Sequence, residues 1–549
     1  MPVLQDPTLS KAILEELRDV FQMFRAEDET AGSLPLDEWF ITTDDYINVE
    51  QDRCWLIEGP KGTGKTALAR ALMDDFSGRF QEEARAGHPV LRVEAFPNDG
   101  ESWEWLDPLI RYLKNMAVRE RPTVEGSDRV WRLYCAGLVI NAIGRFTSSE
   151  AGTSYRTQID GHTLRKLRER LAAACRSEIS GMPSLDGGKD QGNLYQFFMR
   201  TFRFAPDAAE AGERLQGDVS SALQAVEREL QSVLAGSNMR CWVIVDRIDE
   251  IFSLQTEHQA AALGGFISAM QVLSASGKNW QCKLFIRTDL LERLDSTFGS
   301  IENIDRVLAH RERLRWSTDD IELLVLRRAS LSPLFNEKIV GKKYDIGKQV
   351  DRRFLLYDVV FDLSSERRLP LYVRCDKKVP WRWLLTHCRD GRESHIPRIV
   401  LSAFSYAVDD RLKAIRQGQT KEIRGVQEKR AEQVLFFDEN VKSAYSRVSD
   451  FALDTLRGTF SDVRPYLATL EGREPVWEDK DQLMERLRLG SSIEGDLAVD
   501  RLRDIGVIRM FKGPGYGVRY DVAPIYRCAL NLSEVGNSGP PEAEVQVLS

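Results

Sequence analysis

Two observations predict an α/β fold built around a parallel sheet. Apolar runs of strand length recur, in "CWLIEG", "VLRVEAFPNDG", "CWVIVDRIDEIF" and "WQCKLFIRTDLLERL", and each runs into glycine or charged residues. Segments with apolar residues at helical spacing separate them, starting with "KTALARALMDDF" directly after the first run. Strands that alternate with helices form βαβ units, and such units stack into parallel sheets. At 549 residues the chain exceeds one core, since a domain takes about 150 residues, so three or four units are expected.

The first strand-to-helix junction reads Gly59-Pro60-Lys61-Gly62-Thr63-Gly64-Lys65-Thr66, which fits G-x-x-x-x-G-K-[ST]. An apolar strand before it and a helix after it are the context this motif requires. Its glycines let successive backbone N–H groups curl around phosphate oxygens. A helix starting near Lys65 aims its positive end at the same anion. The expected binding set runs from Gly59 through Ala67. Lys65 reaches the β- and γ-phosphates of ATP, and Thr66 offers its hydroxyl to Mg²⁺.

Hydrolysis needs an acidic strand as well. Asp246 ends an apolar run that starts at Cys241, where a carboxylate holds Mg²⁺ through water. Asp249 and Glu250 follow as candidates to polarise the attacking water. In open parallel sheets, ligands sit at the C-terminal ends of the strands. Arg287, at the end of the run through Ile286, is therefore a candidate γ-phosphate sensor.

"GPKGTGKTA", "VIVDRIDEIF", "KLFIRTDLLERL" and "LRWSTDDIELLVLRRAS" occur in this order. Together they resemble the bacterial P-loop ATPases of the STAND and AAA-like class, close to the KAP and Orc-like groups. "WRWLLTHCRDGRESHIPRIVLSAFSYA" extends the likeness, so that it spans about residues 38 to 410. The resemblance implies a P-loop NTPase core, a helical lid, and a sensor-2 role for Arg398, in the Pro-Arg element that opens a lid helix. It also implies a defence or signalling role. The chain departs from the family where Arg247 stands in place of the usual catalytic glutamate. It departs again in the 181 residues between Lys65 and Asp246, read as a helical insertion over about 101–238 that suits a partner.

The expected organisation is an N-terminal helical segment (1–37), the ATPase core (38–310), a helical lid (311–460), a winged-helix-like domain (461–532) and a disordered tail (533–549). In the lid, Ser317 caps a helix with acids in its first turn. Arg327 and Arg328 of that helix face the nucleotide or a neighbour, or form a solvated face, which is the preferred reading. From Asp496 to Arg527 there are six basic and four acidic residues, a thin surplus for DNA binding. Packing on the core as a lid or interaction module is the favoured role for this domain.

Composition narrows the class. Net charge is −8, hydrophobic content is 42% and charged content 29%, which suit a globular protein rather than a nucleic-acid coat. The eight cysteines form no C-x-x-C pair, and they read as reduced, mostly buried thiols. No early stretch reads as a secretory leader and no run reaches about 18 apolar residues, so a cytoplasmic location is expected, with no membrane partner. The preferred reading is an ATP-driven conformational or oligomerisation switch that cycles between ATP and ADP. It acts as a homo-oligomer or through an effector protein, with DNA or RNA as weaker partner candidates. An Orc-like DNA initiator or loader, a small-molecule P-loop kinase and a scaffold that hardly turns over are the alternatives.

Overall fold

A computed structural model describes residues 7–21, 36–95, 124–180, 196, 219–248, 257–276, 279–298, 304–341, 343–360, 380–417, 435–436, 438–472, 476–477, 479–489, 493–512 and 518–532. It divides into two compact units. One comprises Thr42–Lys61 and Lys65–Leu314; the other comprises Met1–Ile41, Gly62–Gly64 and Arg315–Ser549. The tip of the Gly-rich loop thus groups with the C-terminal unit, while its two ends stay in the core unit.

The core unit is a five-stranded parallel sheet. Its strands are β1 (Leu56–Gly59), β2 (Val90–Ala95), β3 (Arg240–Val245), β4 (Trp280–Arg287) and β5 (Arg311–Arg313), in the order β2-β3-β4-β1-β5. Four of these match the apolar runs. The helical character expected from about 311 onward begins later, because residues 311–313 form β5. This three-residue edge strand is all charge, and no pattern in it signals a strand. Its pairing with β1 and the ion pairs of Arg311 and Arg313 with the buried Glu58 carboxylate, at 3.0 and 3.2 Å, hold it in place.

Helix α1 (Lys65–Asp74) packs against β2, β3 and β4. The described parts of the insertion form α2 (Val124–Ser148), α3 (Gly161–Ser180) and α4 (Val219–Gly236). After the acidic strand comes α5 (Glu257–Ser276). The insertion is part of the core rather than an appendage. Trp131, Val139 and Ile143 of α2 share one cluster with Phe266 and Met270 of α5 and with Val243, Val245, Cys282 and Leu284 of the sheet. The Trp131 ring meets Phe266 edge-on at 4.7 Å, and its indole N–H donates to Ala262 O at 3.1 Å. Arg132 pairs with Glu227 to tie α2 to α4.

The C-terminal unit is mostly helical, with α6 (Thr318–Ala329), α7 (Pro380–His387), α8 (Pro397–Arg416) and α9 (Asp438–Thr459). Ser317 caps α6 in a reciprocal capping box with Asp320. The N-terminal helix Pro7–Phe21 belongs to this unit. Phe21 stacks on Phe404 of α8 at 4.4 Å, and the Glu16 carboxylate accepts from Ser332 Oγ and the Leu334 N–H. This helix overturns the solvated-face reading for Arg328, which is fully buried, donates to Val20 O and lies over the Trp39 ring.

At the far end, α10 (Lys480–Arg486) and α11 (Ile493–Asp504) precede β7 (Ile508–Lys512) and β8 (Val518–Val522). These strands and β6 (Val476–Trp477) form an antiparallel sheet in the order β6-β8-β7. Six described cysteines are buried and Cys528 is partly so. No helix among the described residues is long and apolar enough to cross a membrane. The expected tail at 533–549, and parts of the insertion and lid, lie outside the described residues.

Candidate functional site

The loop from Gly59 to Lys65 has the backbone of an anion nest. Gly62 and Gly64 adopt φ of 88° and 90°, in the left-handed region that side chains resist. Helix α1 starts at Lys65, so Thr66 and Ala67 lie in its first turn, where N–H groups have no partner within the helix. Such a helix start attracts phosphate.

A nest that turns its N–H groups inward turns its carbonyls outward, and outward carbonyls need donors. Two are present in the C-terminal unit. The Trp316 indole N–H donates to Thr63 O at 2.9 Å, and the Arg398 N–H reaches Gly62 O at a long 3.4 Å. A Cβ at Gly62 would meet Ile396 and Arg398 side chains at 3.1 Å, so space as well as φ favours glycine there. Trp316 did not stand out in the sequence. A lone tryptophan before a capping serine carries no motif, and its contact with Thr63 spans 253 residues. Pro397 opens α8 at its first turn, as its fixed φ favours, and Arg398 follows directly.

In the core unit, Lys65 Nζ donates to Gly59 O at 2.7 Å and to Pro60 O at 2.9 Å. Lys61 lies between those carbonyls and the tip. Gly59 pairs in register with Arg287, so the loop and the end of β4 are neighbours. The Arg287 guanidinium holds the Asp289 carboxylate through two bonds of 2.9 Å. To meet a phosphate it must share or release that partner.

Asp246 follows β3 directly and is 7% exposed. β4 lies between β1 and β3, so Arg287 occupies the strand between the Gly-rich loop and Asp246. Arg247 takes φ of 61°, a strained left-handed state for a non-glycine residue, next to that carboxylate. Glu94 of β2 was not anticipated. It pairs with Ile244, two residues before Asp246, and burial and the Asp246 charge raise its pKa. The catalytic candidates Asp249 and Glu250 lie outside the described residues.

The Thr66 hydroxyl and Asp246 carboxylate are hard oxygen donors, the chemistry Mg²⁺ selects, and two protein oxygens suffice when phosphate and water supply the rest. Among the described residues no group of three or more His, Cys, Asp and Glu side chains could hold a metal by itself.

No known protein family matches the sequence, and no curated protein resembles it. Among solved structures, the chain is similar to the Orc2 protein of Aeropyrum pernix, solved in ADPNP–ADP complexes. That similarity covers 88% of this chain and 90% of that one at 12% identity, with a TM-score of 0.27. At that score the resemblance is too loose to carry an argument, so the site stands on its own geometry.

Proposed function

We propose that this chain is an ATP-binding P-loop ATPase that acts as a nucleotide-dependent switch. The observation that carries the reading is the loop itself: two left-handed glycines leading into the N-terminus of a ten-residue helix, with Lys65 as its first residue. Backbone N–H groups and the helix start bind the phosphates, and Lys65 exchanges its two loop carbonyls for phosphate oxygens. Thr66 and Asp246 would hold Mg²⁺, which would supply positive charge against the phosphates. Arg287 turns from Asp289 towards the γ-phosphate. ATP then makes contacts that ADP lacks, and that differential affinity is the source of switching. A place in a bacterial defence or signalling system rests on the order of the motifs alone.

The Orc-like alternative needs a basic surface on the C-terminal module. There Arg501 pairs with Asp462, Arg503 with Asp500 and Asp504, and both Arg509 and Arg527 with Asp521. Four of the six basic side chains are thus already engaged, which favours a protein-packing module over a DNA reader.

Calorimetry with ADPNP and Mg²⁺ tests the reading. Lys65→Ala should cost a few kcal/mol of affinity, the worth of a charge-assisted phosphate contact. Parent-like binding by the variant would remove the assignment.

A further inference from the structure

Residues 389–396 join α7 to α8 in a tight loop of the C-terminal unit. Arg389 and His395 pair across it in an antiparallel bridge. The buried Asp390 carboxylate accepts from the N–H groups of Arg392 and Ser394 at 3.0 Å each. The Glu393 N–H donates to Asp390 O at 3.0 Å, and Glu393 holds φ of 56°. A non-glycine residue keeps that backbone only where its surroundings impose it. The loop is therefore built to hold one shape.

It has two contact faces. On one side, the Gly391 N–H donates to Gly506 O at 2.7 Å, and a Cβ at Gly391 would stand 2.7 Å from Ile508 O and 2.8 Å from Gly506 O. Glu393 accepts from Arg509 of β7 at 2.6 Å. Arg509 also donates twice to Asp521 of β8, at 2.9 and 2.7 Å. On the other side, the loop runs into Ile396 and Arg398, whose side chains would stand 3.1 Å from a Cβ at Gly62. His395 Nε2 lies 3.3 Å from Thr318 Oγ1, at the start of α6. One short loop thus touches both the antiparallel sheet and the phosphate-loop tip.

We propose that Gly391 and Glu393 are positioning residues for the phosphate loop. They fix the 389–396 loop, this loop fixes the start of α8, and the start of α8 holds the Gly62 carbonyl outward. The antiparallel sheet β6-β8-β7 therefore sets nucleotide affinity, and by reciprocity bound nucleotide stiffens that sheet. The inference rests on the nucleotide-binding reading above.

The test is amide hydrogen exchange across residues 506–522 of the full chain, with and without ADPNP and Mg²⁺, alongside calorimetry. In the parent, ADPNP should slow exchange in β7 and β8. Glu393→Gln keeps the side-chain shape and removes its charge. It should weaken ADPNP binding about five-fold or more, the lower end of coupling between linked sites, and abolish the nucleotide-dependent protection. Gly391→Ala should do the same more strongly; because its Cβ meets backbone and can unfold the sheet, Glu393→Gln decides. A parent that binds ADPNP yet shows unchanged exchange in 506–522 overturns the coupling and leaves the nucleotide reading standing. So does a Glu393→Gln protein with parent affinity and parent protection. A parent that gives no binding heat overturns the nucleotide reading, and this inference with it.

Discussion

Two faces of the same strands divide the labour in the core unit. Cys241, Val243 and Val245 of β3, with Cys282, Leu284 and Ile286 of β4, join the apolar cluster with α2 and α5. The alternating positions on those strands are Trp242 and Ile244, with Lys283, Phe285 and Arg287, and Asp246 comes next in the same alternation. Side chains switch sides at every residue, so one strand can serve packing and chemistry at once.

Lys283 shows how the second face tolerates charge. It is fully buried, yet its ammonium donates to Val49 O, Gln51 O and Cys54 O at 2.8, 2.6 and 2.5 Å. It also lies 4.2 Å over the Trp242 ring. Burial pushes its pKa down to about 8. Its partners bracket the Asp44–Val49 helix end and the lead into β1, so this cation staples the chain just ahead of the Gly-rich loop. The comparison separates positions that should move stability from positions that should move nucleotide chemistry.

The largest effect is expected on the packing face. Trp131→Ala leaves a cavity where the ring met Phe266, and should cost about 3–5 kcal/mol in urea unfolding. ADPNP affinity of the remaining folded protein should hold; a large change in affinity would mean that the faces are not separate.

Asp246→Asn probes the other face. It keeps the shape of a buried side chain and removes its charge, so it should shift unfolding by less than Trp131→Ala does. Turnover should fall about 10²-fold or more, the usual loss when a preorganised electrostatic contact is removed. Parent-rate hydrolysis would remove Asp246 from the site.

Lys283→Met sharpens the comparison, since it tests a structural residue on the chemical face. It strands three carbonyls, and should cost about 1–3 kcal/mol at pH 7, the penalty for buried acceptors left unpaired. The pH dependence has a definite sign. A lysine with a folded pKa near 8 and an unfolded pKa near 10.4 binds fewer protons when folded, so it makes stability rise with pH across that window. Parent stability relative to the variant should grow by up to about 3 kcal/mol between pH 8 and 10.4, at about 1.4 kcal/mol per pKa unit. A flat difference in urea titrations at pH 7 to 10 would show that the carbonyl cradle cancels the effect of burial.

Trp316→Phe should give the smallest change. It keeps an aromatic ring, though a smaller one, and removes the N–H on Thr63 O, worth about 1 kcal/mol for one neutral hydrogen bond. ADPNP affinity should fall about five-fold, with kcat nearly unchanged. Equal affinity by calorimetry would leave Trp316 as packing only.

How much was readable depended on how local the cause was. The Gly-rich loop was legible because φ above zero and an exposed helix start are properties of adjacent residues. So were β3 and β4, whose apolar runs come from burial on both faces, and α8, whose start is dictated by Pro397. β5 was not legible, since three charged residues become a strand only when β1 pairs with them and Glu58 neutralises them. The burial of Arg328 was not legible either, because its helix period cannot say that residues near Val20 will cover it.

The sequence by itself determined the strand-loop-helix, the placement of Lys65 and Thr66 at a helix start and of Asp246 and Arg287 at strand ends, the cap at Ser317 and the helix start at Pro397. These follow from backbone preferences and spacing within a few residues. Only the tertiary structure decided that Trp316 and Arg398 hold the outer carbonyls of the loop. It also decided that the insertion builds the apolar face, and that Gly391 and Glu393 meet the distant antiparallel sheet. Those contacts join residues far apart in the chain, and what selects them is which buried carbonyl or charge still needs a partner once the cores have formed.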